Sequence, residues 1–83
     1  MNRLKIYRNK IDKIDRRTVK LLSLRFKLIK KITLYKQRNK LKIIDVKRES
    51  QVINNLKKYS KQHQKIVITI FKKIIYYSRR LQK

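Results

Sequence analysis

Cysteine, glycine, proline and alanine are all missing from this chain of 83 residues. Without cysteine there are no disulfides and no thiolate metal sites, which fits a reducing compartment. Without glycine and proline, no turn can lean on a residue free to take φ > 0 or on one with φ fixed. Tight hairpins are therefore disfavoured, and long helices joined by short polar loops are favoured. Acids are scarce as well: four, against 27 lysines and arginines, for a formal charge of +23. With one histidine in addition, little is left from which to build a metal cluster. Long apolar runs are absent too. Ile66 to Ile68, resumed at Ile70 and Phe71, is far too short to span a bilayer. The opening MNRLKIYRNK holds no apolar stretch of signal-peptide length. The expectation is a soluble, cytoplasmic protein.

The dominant letters are Lys, Ile, Asn, Leu, Arg and Tyr, mostly those that A/T-rich codons encode. We read this as genome drift rather than function, although a deliberately reduced alphabet would look the same. A chain of this length makes one domain with a thin core, and such domains need a disulfide, a metal or a partner chain. The first two are excluded or disfavoured by composition, so oligomerisation remains. Charge taken alone points to a nucleic-acid binder.

Periodicity predicts three helices. From Leu4 to Tyr35 the positions 4, 7, 11, 14, 18, 21, 25, 28, 32 and 35 step alternately by three and four, a heptad seam over more than four heptads. One helix of that length runs on the order of 50 Å. That is too long for the core of a monomer this small, so it must find another helix. Residues 37–43 lose the pattern and are expected to form the first loop. A second helix is expected from near Asp45 to Tyr59, then a connection over 60–65 that includes a solvated His63, and a third helix from Ile66 to Leu81.

The informative residues are polar ones on apolar faces, because burying them is costly unless something pairs with them. Arg25 interrupts the seam, and Lys36 returns to nearly the same face eleven residues later. Asp45, Arg48 and Glu49 share one face of the second helix, and Ser78 and Gln82 are an i, i+4 pair continuing the line of Phe71 and Ile75. A groove lined by such groups suits a small polyanion bearing a hydroxyl. Each residue also has an ordinary explanation. In so basic a chain Arg8, Arg25, Lys36 and Arg48 are easy coincidences, Asp45 is a natural N-cap, Ser78 could be idle and Gln82 frayed. Glu49 is harder to dismiss, being the chain's one glutamate.

These spacings resemble the all-helical, AroQ-class chorismate mutases. That family's first helix carries Arg, Arg seventeen residues on and Lys eleven further, matched by Arg8, Arg25 and Lys36. Its D-x-x-R-E segment is matched by Asp45, Val46, Lys47, Arg48 and Glu49, nine residues beyond the lysine. Its last helix, approximately F-x-x-I-I-x-x-S-x-x-x-Q, is matched by Phe71, Ile74, Ile75, Ser78 and Gln82, and IDKIDRR (11–17) resembles the family's opening. Residues 3 to 83 are covered, so 1–83 reads as a single mutase domain. The stretch between Glu49 and Ser78 is a few residues shorter than in some relatives, and the family's usual alanines are missing.

The resemblance implies an all-α fold of three helices in an intertwined homodimer, and a cofactor-free, metal-free Claisen rearrangement of chorismate to prephenate in aromatic amino acid biosynthesis. By similarity, Arg8 from the partner subunit, Arg25 and Ser78 would hold the two carboxylates. Lys36 and Gln82 would donate to the ether oxygen, Glu49 and the backbone at Asp45 would take the ring hydroxyl, and Arg48 would support the site. Geometry adds its own argument for a dimer. Arg8 and Arg25 sit roughly 25 Å apart along one helix, too far for one small dicarboxylate to touch both. Two antiparallel copies about a two-fold near residues 16 and 17 would bring Arg8 of one beside Arg25 of the other. The alternatives are an isochorismate pyruvate lyase of the same fold, a basic helical nucleic-acid-binding protein, and an amphipathic membrane-surface peptide. The second accounts for the charge but not for Glu49, Gln82 or the spacings. The third expects a cleaner polar face than the evenly spread cations give, and neither specific nucleic acid nor membrane is expected as a partner.

Overall fold

The computed structural model describes residues 2–82. Three helices, α1 (Arg3–Arg38), α2 (Val46–Tyr59) and α3 (Gln64–Leu81), make up the fold, with no strand among the described residues. The all-α expectation holds. Asn2 starts α1 by accepting from the Leu4 backbone N–H at 2.9 Å, meeting one of the donors a helix start leaves open. The helix then runs unbroken for 36 residues.

Its end lies two residues beyond the expected boundary, because Gln37 and Arg38 are still helical. The closure there is a Schellman turn: Leu41 N–H donates to the Lys36 carbonyl at 2.8 Å and Lys40 N–H to that of Gln37 at 3.4 Å. Lys40 takes the left-handed conformation at φ 54° that glycine usually fills, since the chain has none. A polar last turn carries no apolar period, so the pattern fades before the helix does. The third helix likewise begins two residues early, at Gln64, whose side-chain amide donates to the Lys57 carbonyl at 2.9 Å and ties α3 back to α2. His63 precedes it, exposed and at φ 56°.

Helix α3 packs against both α2 and α1. The inward face of α1 is Leu22, Arg25, Phe26, Ile29, Thr33 and Lys36, all at least half-buried. Much of the heptad seam has no cover: Leu4, Ile11, Ile14, Leu21 and Tyr35 stay exposed, Leu21 at 63 %. No apolar side chain is fully buried among the described residues, where the buried class holds only Thr33 and Ser78.

The shape follows from that. The radius of gyration is 16.3 Å, against about 12 Å for a compact domain of this length, and the long axis is 59 Å. The accessible surface is 7885 Å², roughly 2,500 Å² more than a compact monomer of this mass exposes. No helix among the described residues is long and apolar enough to cross a membrane.

Candidate active site

The C-terminal half of α1, the start of α2 and the end of α3 enclose a cleft of about 290 Å³, near the lower end of small-molecule sites. Its floor is apolar, from Leu28, Ile29, Ile32, Val52 and Ile75. Seven of the eight residues singled out in the sequence line it: Arg25, Lys36, Asp45, Arg48, Glu49, Ser78 and Gln82. Arg8 does not. It stands exposed on α1, about 25 Å from Arg25 along a continuous helix.

Arg25 projects from α1 onto α3, where its Nη1 donates to Ser78 Oγ at 2.7 Å. Ser78, only 5 % exposed, donates its own O–H to the Ile74 carbonyl at 2.8 Å. Its hydroxyl is thereby oriented with a lone pair toward the guanidinium, so the serine is not idle. Burial, and then repulsion from Arg48, lower the pKa of Arg25 from its ordinary value. An arginine remains charged regardless. The consequence is a cation partly stripped of water, close to a second cation and braced only by a neutral hydroxyl. Among the described residues no carboxylate pairs with it.

Lys36, three turns further along α1, donates from Nζ to the Ile43 carbonyl at 3.0 Å. That bond fixes the ammonium against the α1–α2 loop and leaves two N–H donors for the cleft. Asp45 caps α2, its Oδ1 accepting from the Arg48 backbone N–H at 2.9 Å. Its carboxylate is thus engaged by the backbone, as the ordinary reading of an aspartate at a helix start expects. Arg48 and Glu49 follow in the first turn, and Gln82 lies at the C-terminal cap of α3, half-buried.

The sequence did not single out Arg79. From α3 its guanidinium grips Glu49 with both arms, Nε to Oε2 at 2.7 Å and Nη2 to Oε1. Hydrogen bonding to Glu49, and then its charge, raise the Arg79 pKa. One signal could have pointed here: a lone glutamate in a chain of cations needs a partner, and Arg79 adjoins Ser78. In all, four cations (Arg25, Lys36, Arg48 and Arg79) face two carboxylates (Asp45 and Glu49) across the cleft. The surplus of two positive charges matches a dianion.

Comparison with known proteins adds two findings. The chain matches the family described as chorismate mutase type II over residues 7–83. It is also 34 % identical over 79 residues to a protein of Methanocaldococcus jannaschii named chorismate mutase, covering 92 % of this chain and 80 % of that relative.

Proposed function

This chain belongs to the chorismate mutase type II family, isomerases that rearrange chorismate to prephenate, and we propose that the cleft between its three helices is where it carries out that reaction. The observation that carries the proposal is Arg25, half-buried, near Arg48 and held by Ser78 rather than by an acid. A charge kept short of a counter-ion is an anchor for an anionic substrate.

The reaction breaks the ether C–O bond as a new C–C bond forms between arm and ring, with no proton transfer and no covalent intermediate. The protein therefore acts by holding the enolpyruvyl arm over the ring and by stabilising charge that develops in the transition state. Arg25 binds one carboxylate with Ser78 behind it, and Arg8 of the partner subunit binds the other. Lys36 and Gln82 donate to the ether oxygen, where negative charge grows as the C–O bond stretches. Such contacts are stronger in the transition state than in the substrate, which is what accelerates the step. The Ile43 carbonyl holds Lys36 before substrate arrives, so little reorganisation is left for the reaction itself. Glu49 accepts a hydrogen bond from the ring hydroxyl, the backbone at Asp45 helps to hold the hydroxyl in place, and Arg48 adds positive potential.

A homodimer completes this reading. What supports it is the exposed seam of α1 together with the surface excess of roughly 2,500 Å², an area in the range that obligate dimers bury. Antiparallel pairing about residues 16 and 17 covers the seam and brings the missing arginine to the cleft. A cytoplasmic setting belongs to the same reading, supported by the cysteine-free sequence.

The test is direct. Purified protein incubated with chorismate is expected to consume it and yield prephenate, detected as phenylpyruvate after acid treatment. Chorismate loss no faster than in buffer would refute the proposal. Release of pyruvate from isochorismate, without prephenate formation from chorismate, would replace it by the lyase.

A further inference from the structure

Glu49 and Arg79 form the single ion pair found among the described residues. In a chain with so many cations that choice is informative. Glu49 is not turned toward Arg48, its neighbour in sequence, but across to α3, where the planar fork of Arg79 takes both of its oxygens. A two-point grip of this kind fixes the plane and direction of a carboxylate, which a single ammonium contact does not. It does not exhaust the group, since each carboxylate oxygen keeps a further lone pair. Both residues line the cleft, at its solvent-accessible rim, with the Glu49 side chain 23 % accessible and that of Arg79 43 %. Adjacent residues of α3 thus brace opposite sides of the site: Ser78 holds the cation of α1, and Arg79 holds the anion of α2.

We propose that Arg79 is a positioning residue for recognition of the substrate's ring hydroxyl: its fork holds Glu49 in the one orientation that accepts that hydroxyl, and so sets the preference for a ring bearing it over one without it. The inference rests on the assignment of Glu49 to the ring hydroxyl made above. Arg79 has a second effect. It offsets the repulsion between Glu49 and a dianionic substrate, and that effect acts equally on substrates with and without the hydroxyl. The two contributions are therefore separable.

The experiment compares kcat/KM for chorismate with that for the analogue in which hydrogen replaces the ring hydroxyl, the latter read by competition against chorismate where turnover is slow. Wild-type protein, Arg79→Met, Arg79→Lys and Glu49→Ala are measured. The readout is the ratio of the two values within one preparation, which is unaffected if a variant is partly unfolded. Arg79→Met is expected to lower the ratio by roughly tenfold, the order of what a hydrogen bond to a charged group contributes. Glu49→Ala should lower it at least as far. Arg79→Lys keeps the charge but not the fork, so it should recover activity common to both substrates while the ratio stays depressed. A ratio unchanged in Arg79→Met but lowered in Glu49→Ala would overturn the role given to Arg79 and leave Glu49 in place. A ratio unchanged in both would remove Glu49 from the hydroxyl, and the inference with it.

Discussion

Arg8 and Arg25 lie on one unbroken helix, so their separation of about 25 Å is fixed by the rise per residue and no side-chain motion brings both to a single ring with a short arm. If both hold substrate, each site draws them from different chains. In Arg8→Ala homodimers every site then lacks one arginine, and in Arg25→Ala homodimers every site lacks the other. Truncating a partner in a buried charge pair costs about 2–5 kcal/mol, a fall of roughly thirtyfold or more in kcat/KM. Mixed in equal amounts and allowed to exchange, the two variants form heterodimers in half of all pairings. Each heterodimer holds one site with both arginines and one with neither, so activity should return to about a quarter of the wild-type value per chain. The assay is chorismate turnover before and after exchange, with heterodimers quantified by native mass spectrometry on differently tagged chains. Heterodimers present in the expected proportion while activity stays at the level of the parents would refute the shared site.

Lys36→Ala and Gln82→Ala should each lower kcat by about 100- to 1,000-fold, the effect of losing one preorganised donor to developing charge. Circular dichroism should show unchanged helicity, and near-normal turnover in both variants would reject the ether-oxygen assignment. Moderate salt should raise the melting temperature, because it screens repulsion within a chain of charge +23 and between the two chains of the proposed dimer, with a Debye length of about 8 Å at physiological ionic strength. Each kcal/mol of repulsion relieved corresponds to about 4–8 °C for a domain of this size. The same screening should raise KM for the dianionic substrate with less effect on kcat. Melting and kinetics across one salt series check both, and a melting temperature that falls steadily with salt would mean that the few acids contribute more than the repulsion removes.

The parts of this fold that obey a period were legible in the sequence. The alternating three-four step from Leu4 to Tyr35 marks α1 because a helix repeats its faces at that spacing, and Arg25 stood out as the position that broke it. The ends were less legible. Gln37, Arg38 and Gln64 are helical through backbone closure and a side-chain tie to Lys57, and neither leaves an apolar trace. Nor does the seam show which of its positions the single chain covers: Leu21 and Tyr35 stay exposed, whereas Arg25 is half-buried and lines the cleft with Leu28 and Ile32. Among the residues that line the cleft, Asp45, Glu49, Ser78 and Gln82 could be singled out because acids are rare here and the spacings were specific. Arg79 could not be found the same way. A lone glutamate implies some cationic partner, but which of the 27 it takes is decided only by the distance of Arg79 to Glu49.

Under the proposed pairing, the bare flank of α1 ties catalysis to abundance. With no apolar side chain fully buried in the single chain among its described residues, the interior that the proposed pairing creates exists only while two copies are together. Folding, assembly and completion of the cleft then become one equilibrium whose midpoint moves with protein concentration. Below the dissociation constant, the number of paired chains follows the square of the total. Halving the amount of protein in that regime would leave about a quarter of the working sites, so dilution alone would act as an off-switch that no effector needs to throw.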